Sequence, residues 1–414
     1  MNPFAAIRSE IPIVAAPCQS NSPGMTMDCL LPGTKDMHNI YLDNNATTPI
    51  DPRVAAVFTE CLCDGYMNAA SQHSAGQRAS LVLEDARDVI RRQLGADNIV
   101  LTSGATEANN LALRGLAGQP GDHLLVSRIE HPSVTETASQ LRQQGVDVEW
   151  VPVSQQGTVD LSYIADHIRD DTSLVVLMAA NHETGIRQPV KEVVEICQGH
   201  DVPVHCDAAQ LVGKAVANFT ELGVSSMSVA AHKFHGPRGV GALLYCDQAV
   251  PKPLFTGGPQ QQGLRPGTEP VCLAVAMARA VQIAVEELAD NQARMQEMLD
   301  AFEQQVQHHL PEAIVVGAEQ ARLAHTSCIT FPSYNRQAIV MALDLAGIAC
   351  STGSACASGS SDPSPVLAEM QLEQTHIEGA VRFSFSRLNK LSDATAAGTR
   401  ISSVISGLGC HKEG

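Results

Sequence analysis

The sequence predicts an α/β chain in which a large domain with a mostly parallel sheet is joined to a smaller α+β domain, and three observations predict it. Short apolar runs alternate with helical patterns between residues 80 and 250, as in a parallel sheet wrapped by helices. A long helical stretch then starts near Val271 and is followed by shorter mixed elements. The chain has 414 residues, 44% hydrophobic and 17% charged, and lengths above about 250 to 300 residues usually divide into more than one domain.

Taken in order, residues 1–38 are rich in Pro, Ser, Asn and Met and lack periodicity. Such a stretch buries too little apolar area to offset its ordering entropy. It is expected to be a disordered extension, with Met25, Met27 or Met37 as alternative starts. Residues 39–54 are expected to join the smaller domain, 55–270 to form the larger one, and 271–414 the smaller one, including a loop at 350–364.

Within the larger domain the runs NIVLT (98–102), HLLVS (123–127), SLVVLMA (173–179), VPVHC (202–206) and SMSVA (226–230) read as strands. LEDARDVIRRQL, ATEANNLALRGL and VKEVVEIC carry apolar residues three and four apart and read as helices. The helical stretch from Val271 would exceed ~45 Å if unbroken at about 1.5 Å per residue. After it come the strand-like SCITFPS, a helix closed by Gly347, a loop rich in Ser and Gly, and the strand VRFSFS.

The formal charge of -17 argues against nucleic acid or an anionic membrane as partner, because phosphate contacts require clustered Lys and Arg. No run reaches the ~20 apolar residues that span a bilayer. The start has one basic residue before a short, Pro-broken apolar stretch, unlike a secretory leader, so the cytoplasm is expected. Twelve cysteines without regular spacing read mostly as small buried hydrophobes. Cys61 and Cys63 form a C-x-C with no second pair at zinc spacing, so no metal is expected.

Three segments carry candidate chemistry. Lys233 is flanked by small and apolar residues, an environment that lowers a lysine's pKa and suits a Schiff base; no other lysine lies in a comparable segment. Asp207 ends an apolar run, which places its carboxylate at the carboxyl edge of a parallel sheet, able to hold a pyridine nitrogen protonated. The turn at 102–107 follows a strand and opens a helix, with the Thr106 hydroxyl beside free backbone N–H groups, an anion site. Each has an ordinary reading too: a lysine at a strand end, a turn-capping aspartate, a plain helix cap. Their order along successive βα units is more specific than any one of them.

The motifs YLDNNATTP (41–49), TSGATEANN (102–110), EHPSV (130–134), ANHETG (180–185), HCDAAQ (205–210), AHKFHGPRG (231–239), RPGTEP (265–270), STGSACASG (351–359) and VRFSFS (381–386) resemble, in order and spacing, the NifS and IscS type of cysteine desulfurase. That family belongs to the class V aminotransferases, fold-type-I pyridoxal-phosphate enzymes. The resemblance implies a homodimer with pyridoxal 5'-phosphate that converts L-cysteine to L-alanine and hands sulfur to an acceptor protein, for iron–sulfur cluster assembly or thiolation. It implies that Lys233 forms the Schiff base, Asp207 meets the pyridine nitrogen, and His131 stacks on the ring and shuttles protons. Asn181 and Gln210 would bond the cofactor and its phenolic oxygen, and Ala105, Thr106 and His232 would hold the phosphate. Thr268 would reach the neighbouring subunit's phosphate, while Arg382, with Asn181, would take the substrate carboxylate, a task suited to a guanidinium.

Cys356 lies among Ser, Gly, Ala and Thr, a setting too polar for a core position. The resemblance makes it the nucleophile that accepts sulfur as a persulfide; Cys350, on an apolar run, is expected to be a packed structural cysteine. Three departures stand out. Ala230 replaces the usual hydroxyl residue three positions before the lysine, which shifts phosphate binding toward Thr106 and Thr268. Asn68-Ala69 replaces an Asn-Pro pair. The short tail after Ile405 puts docking of a scaffold protein in doubt. A selenocysteine lyase, a small-amino-acid aminotransferase and a non-catalytic scaffold are the alternatives; the first two would need no Cys356.

Overall fold

The computed structural model describes residues 39–353 and 363–409; the 1–38 extension and Cys356 lie outside the described residues. Among the described residues, twelve strands form three sheets. In chain order they are β1 Ile40–Tyr41, β2 Asn98–Thr102, β3 His123–Ser127, β4 Asp147–Val151, β5 Thr172–Met178, β6 Val204–Asp207, β7 Ser226–Ala230, β8 Gly241–Tyr245, β9 Ile314–Val315, β10 Thr326–Thr330, β11 Ile348–Ala349 and β12 Ala380–Ser384.

The main sheet has seven strands in the order β2-β8-β7-β6-β5-β3-β4. β4, β3, β5, β6 and β7 pair in parallel, while β8 runs antiparallel between β7 and β2. The expected mostly parallel sheet is therefore observed, with one reversed strand. Central strands such as β5, TSLVVLM, are apolar nearly throughout because helices cover both faces. Two strands of this sheet lay outside the sequence expectation. β4, DVEWV, is an edge strand whose acidic residues mask its pattern. β8, GALLY, begins at Gly241, where a Cβ would lie 2.5 Å from the Val229 carbonyl oxygen and 2.7 Å from Gly104 Cα.

This parallel arrangement places the carboxyl ends of β2, β3, β5, β6 and β7 along one edge of the sheet. Residues 103–106, 130–131, 180–182, 207–210 and 231–233 leave from that edge. Local sequence shapes one of the exits and also the start of the first helix. His131 caps the helix Pro132–Gln143, accepting the Ser133 N–H at Nδ1, with Pro132 in the first helical position. Asp51 caps the helix Pro52–Cys63 in the same way through the Arg53 N–H.

The long helical stretch is not continuous. It divides into Val271–Glu286 and Leu288–His309 at Glu287, whose φ of -100° and ψ of 11° leave the helical region. The Glu287 carboxylate is paired with Arg53 and Arg387. Beyond it, β12-β10-β9 form an antiparallel sheet, and β1 pairs in parallel with β11. A second core gathers Ile40, Leu42, Phe302, Phe331, Phe383 and Phe385, all fully buried. Phe302 meets Phe383 and Phe385 at centroid distances of 5.1 and 5.3 Å.

Gly241 tests the close approach of β8 to the turn at Gly104. Gly241→Ala should destabilise the chain by about 1–3 kcal/mol, the usual cost of overpacking, and lower the melting temperature. An unchanged melting curve would show that the two backbones separate freely.

Candidate active site

The loops at the carboxyl edge enclose a cavity of about 490 Å³. Of the residues predicted from sequence, Ala105, Thr106, His131, Asp207, Gln210, His232 and Lys233 all line it, as does Ala230. Lys233 follows β7 on a single 3-10 turn, Ala231–Lys233. Its Nζ donates to the backbone carbonyls of Asn45 and Ala46, the latter over 3.0 Å.

Asp207 ends β6 and is buried. Its Oδ1 accepts the Ala209 N–H at 2.9 Å, and its Oδ2 accepts the Asn109 side-chain amide at 2.8 Å. The second Asn109 N–H goes to Ser133 Oγ at 2.8 Å, and Asn109 Oδ1 lies 3.1 Å from His205 Nε2. Burial pushes His205 down to about 4, so the ring is neutral at physiological pH. An amide oxygen only accepts, so the proton is on Nε2, and Nδ1 accepts the Ser226 hydroxyl at 2.8 Å. Ser133 Oγ is in turn 2.8 Å from His131 Nδ1. One buried amide thus joins the aspartate to both histidines.

His131 is held below the ordinary histidine value, chiefly by burial, with Lys233 adding and Asp207 opposing. Because its Nδ1 accepts the Ser133 N–H, the neutral ring carries its proton on Nε2. His232 Nδ1 is 3.2 Å from Thr47 Oγ1, and burial with the nearby lysines pushes His232 down to about 4.

The opposite wall is the start of the helix Ala105–Ala117. Its cap residue, Gly104, has no side chain to satisfy the first amides. The Ser103 N–H is taken by Glu107 Oε2 at 2.7 Å, and Glu107 Oε1 accepts Arg265 Nε at 2.9 Å. An open helix N-terminus and the Thr106 hydroxyl are therefore presented to the cavity, with the Arg238 guanidinium also on its wall. Sequence reading gave Arg238 no role.

Three predicted residues stand off the cavity wall, and a second buried lysine lies nearby. Asn181 is buried and does not line the cavity: its Oδ1 caps the next turn by accepting the N–H groups of Glu183 and Thr184, and its Nδ2 donates to the Ile129 carbonyl. His182, one residue on, lines the cavity instead. It stands edge-on to His131 at 5.5 Å and 71°, and its Nδ1 is buried without a hydrogen-bond partner among the described residues. Burial holds it well below the ordinary histidine value. Arg382 is 2% exposed and off the cavity wall. Its guanidinium is occupied by Asp43 at 2.7 Å, the Gly353 carbonyl at 2.7 Å and the His182 carbonyl at 3.0 Å. Thr268 is exposed and also off the wall. Finally, Lys233 is not the only lysine in such a setting, because Lys214 is 5% exposed and donates to Gln210 Oε1.

The other chemistry lies near this core. Cys350 is packed against the second core, and burial pushes its thiol far above the usual range. Two described residues lie at Glu183: Ser364 Oγ donates to Glu183 Oε2 at 2.6 Å, and a Cβ on Gly353 would strike that same oxygen. Among the described residues no cluster of three or more His, Cys, Asp or Glu is arranged to hold a metal, and no helix is long and apolar enough to cross a membrane.

Residues 40–396 match the family model for aminotransferase class-V. The chain belongs to this family. The cysteine desulfurase IscS of Dictyoglomus turgidum is 35% identical over 350 residues, 83% of this chain and 89% of that protein. A solved NifS-like protein superposes with a TM-score of 0.84 at 33% identity, covering 89% of this chain and all of that one. A second solved structure, SspA in complex with cysteine, gives a TM-score of 0.74 at 30% identity over 84% of this chain and 99% of that one. The fold is that of the fold-type-I pyridoxal-phosphate enzymes, and membership implies that cofactor. The cavity fits it: an uncapped helix start for a phosphate, a buried aspartate for a ring nitrogen, and a lysine amine all line it.

Glu130, beside His131, supplies a pH test. Its Oε1 accepts the Met178 N–H at 2.7 Å, and burial, with the Asp207 carboxylate, pushes it up to about 8. Between its unfolded value near 4.5 and about 8 the unfolded chain has lost this proton while the folded chain keeps it. The Glu130 carboxyl therefore reduces stability as pH rises through that window. Glu130→Gln should flatten the decline in unfolding free energy between pH 5 and 8, measured by denaturant titration; an unaltered slope would mean that Glu130 ionises in the fold.

Proposed function

We propose that the chain is a cysteine desulfurase that takes sulfur from L-cysteine, leaves L-alanine, and carries the sulfur on Cys356. The observation that carries this reading is the meeting of Lys233, Asp207 and the uncapped helix start at Thr106 around one cavity. When bound, pyridoxal phosphate supplies an electron sink for bond breaking next to the substrate amine.

The first-turn amides of Ala105 and Thr106, the Thr106 hydroxyl and His232 hold the phosphate, and Arg238 adds a cation. Asp207, fixed by Asn109 and Ala209, holds a proton on the ring nitrogen. His131 presents its ring face and keeps a proton at Nε2. Gln210 donates its side-chain N–H to the phenolic oxygen. Lys233, once released from the carbonyls of Asn45 and Ala46, moves the substrate's α-proton through Nζ.

Cys356 lies three residues after Gly353, whose carbonyl binds Arg382. As a thiolate it attacks the substrate sulfur: an S–S bond forms, the C–S bond breaks with its electron pair left on carbon, and that carbon takes a proton to become the methyl group of alanine. Arg382 receives the substrate carboxylate by exchanging one of its internal acceptors. Residues 39–54 and 271–414 form the smaller domain in this reading, Thr268 serves the cofactor of a second subunit in a homodimer, and the persulfide passes to an acceptor protein in the cytoplasm.

The test uses the chain loaded with pyridoxal phosphate. Lys233→Ala should lose both the visible absorption and all alanine release. Cys356→Ser should keep the absorption and its response to L-cysteine, yet release no alanine. After one turnover of the unaltered chain, mass spectrometry should find about 32 Da, one added sulfur, on the peptide containing Cys356. Alanine release by either variant, or sulfur found on Cys350, would refute the assignment.

A further inference from the structure

Lys214 is a buried amine that the scheme above leaves unused. It follows Gln210 by four residues in the turn after β6, is 5% exposed, and places Nζ 2.9 Å from Gln210 Oε1. Gln210 is on the wall of the main cavity. Its Nε2 donates to the Asn45 carbonyl at 3.0 Å, the same carbonyl that receives Lys233 Nζ. Lys214 and Lys233 also share the lining of a small cavity of about 20 Å³, the room of one water.

An amide has one accepting and one donating end, and only hydrogen-bond partners decide which way it points. An ammonium donates and cannot accept, so Lys214 in its charged form fixes Oε1 inward. Nε2 is then turned toward Asn45, which leaves its second N–H for an acceptor in the cavity. The charged and titratable groups around Lys214 are Lys233, His232, His235, His325, Arg382 and Arg387. Burial, with Lys233 and Arg382, holds Lys214 well below the ordinary lysine value.

We infer that Lys214 is a positioning residue of the cofactor site: by holding Gln210 Oε1 it turns the amide so that Nε2–H donates to the phenolic oxygen of the bound cofactor. This rests on the function proposed above. A donor on that oxygen stabilises its anion and makes the adjoining lysine–cofactor linkage give up its proton at lower pH. Removing Lys214 frees the amide to reverse, and that raises the midpoint.

The experiment is a pH titration of the visible absorption band of the cofactor-loaded enzyme, in the unaltered chain, Lys214→Met, Gln210→Leu and the double variant. Lys214→Met should raise the midpoint by about one unit, tenfold in the proton equilibrium. Gln210→Leu should also raise it, and the double variant should shift no further than Gln210→Leu alone, because one residue acts through the other. Lys214→Arg, which keeps a donor, should return the midpoint toward that of the unaltered chain. An unmoved midpoint in Lys214→Met, or additive shifts in the double variant, would overturn the inference. Should Lys214→Met fail to fold, Gln210→Glu retains the oxygen that Lys214 binds and removes the donor; a midpoint unmoved in that variant would overturn it equally. Absence of any visible band from the unaltered, loaded chain would instead refute the proposed function.

Discussion

The structure depends most on the buried side chain and backbone of Asn45, which is 1% exposed. Its carbonyl receives Lys233 Nζ and Gln210 Nε2. Its side-chain amide donates to the His182 carbonyl at 3.1 Å and to Thr326 Oγ1 at 2.9 Å, and its Oδ1 lies 2.7 Å from His325 Nε2. Its own N–H goes to Ser384 Oγ. One residue thus ties the lysine turn, the strand ends of the main sheet and the sheet β12-β10-β9 into a single arrangement. No apolar side chain could replace it without leaving several buried groups unsatisfied, each at a cost of about 1–3 kcal/mol.

Asn109 plays the matching part beneath the cavity floor. It is fully buried, and its two N–H groups and its oxygen are all engaged, by Asp207, Ser133 and His205. Polar networks in a low-dielectric interior stabilise only when every member is satisfied. This one is anchored by secondary structure at three points: β6 through Asp207 and His205, the helix Ala105–Ala117 through Asn109, and the cap of Pro132–Gln143 through Ser133. The aspartate carboxylate and the His131 tautomer are therefore oriented by the fold before any ligand arrives.

The residues legible in the sequence were those whose position follows from the chain's own periodicity. Asp207 ends an apolar run, Thr106 opens an amphipathic helix after a strand, and Lys233 follows a third strand, so the carboxyl-edge rule brings them together without coordinates. Two strands were obscured, β4 by edge charges and β8 by its glycine contact with Gly104. The break at Glu287 was hidden because the flanking residues are good helix formers, and the reason for it lies in Arg53 and Arg387, distant in sequence. The motif does not reveal that Asn181 Oδ1 caps the turn of Glu183 and Thr184 while its neighbour His182 lines the cavity. Lys214 gave little signal, since a Gly-Lys-Ala segment reads as a surface turn until its burial is seen.

The overall charge of -17 and the character of the site point in opposite directions, and the structure shows why both hold. Net charge describes mostly solvated side chains, while a cavity's field is set by the few groups whose charges water does not screen. Here those are Lys233 and Arg238 on the wall, Arg382 behind it, and one carboxylate, Asp207, facing in. The histidines do not add to the count at neutral pH, because burial keeps His182, His205, His232, His235 and His325 below their ordinary value. Asp43 offsets Arg382, and the open helix start adds its own partial positive charge. What remains is a positively biased enclosure with one negative point at its floor, suited to a ligand that is anionic at its ends and protonated on a ring nitrogen. Local desolvation thereby gives an acidic chain a cavity of positive bias, a property that composition does not reveal.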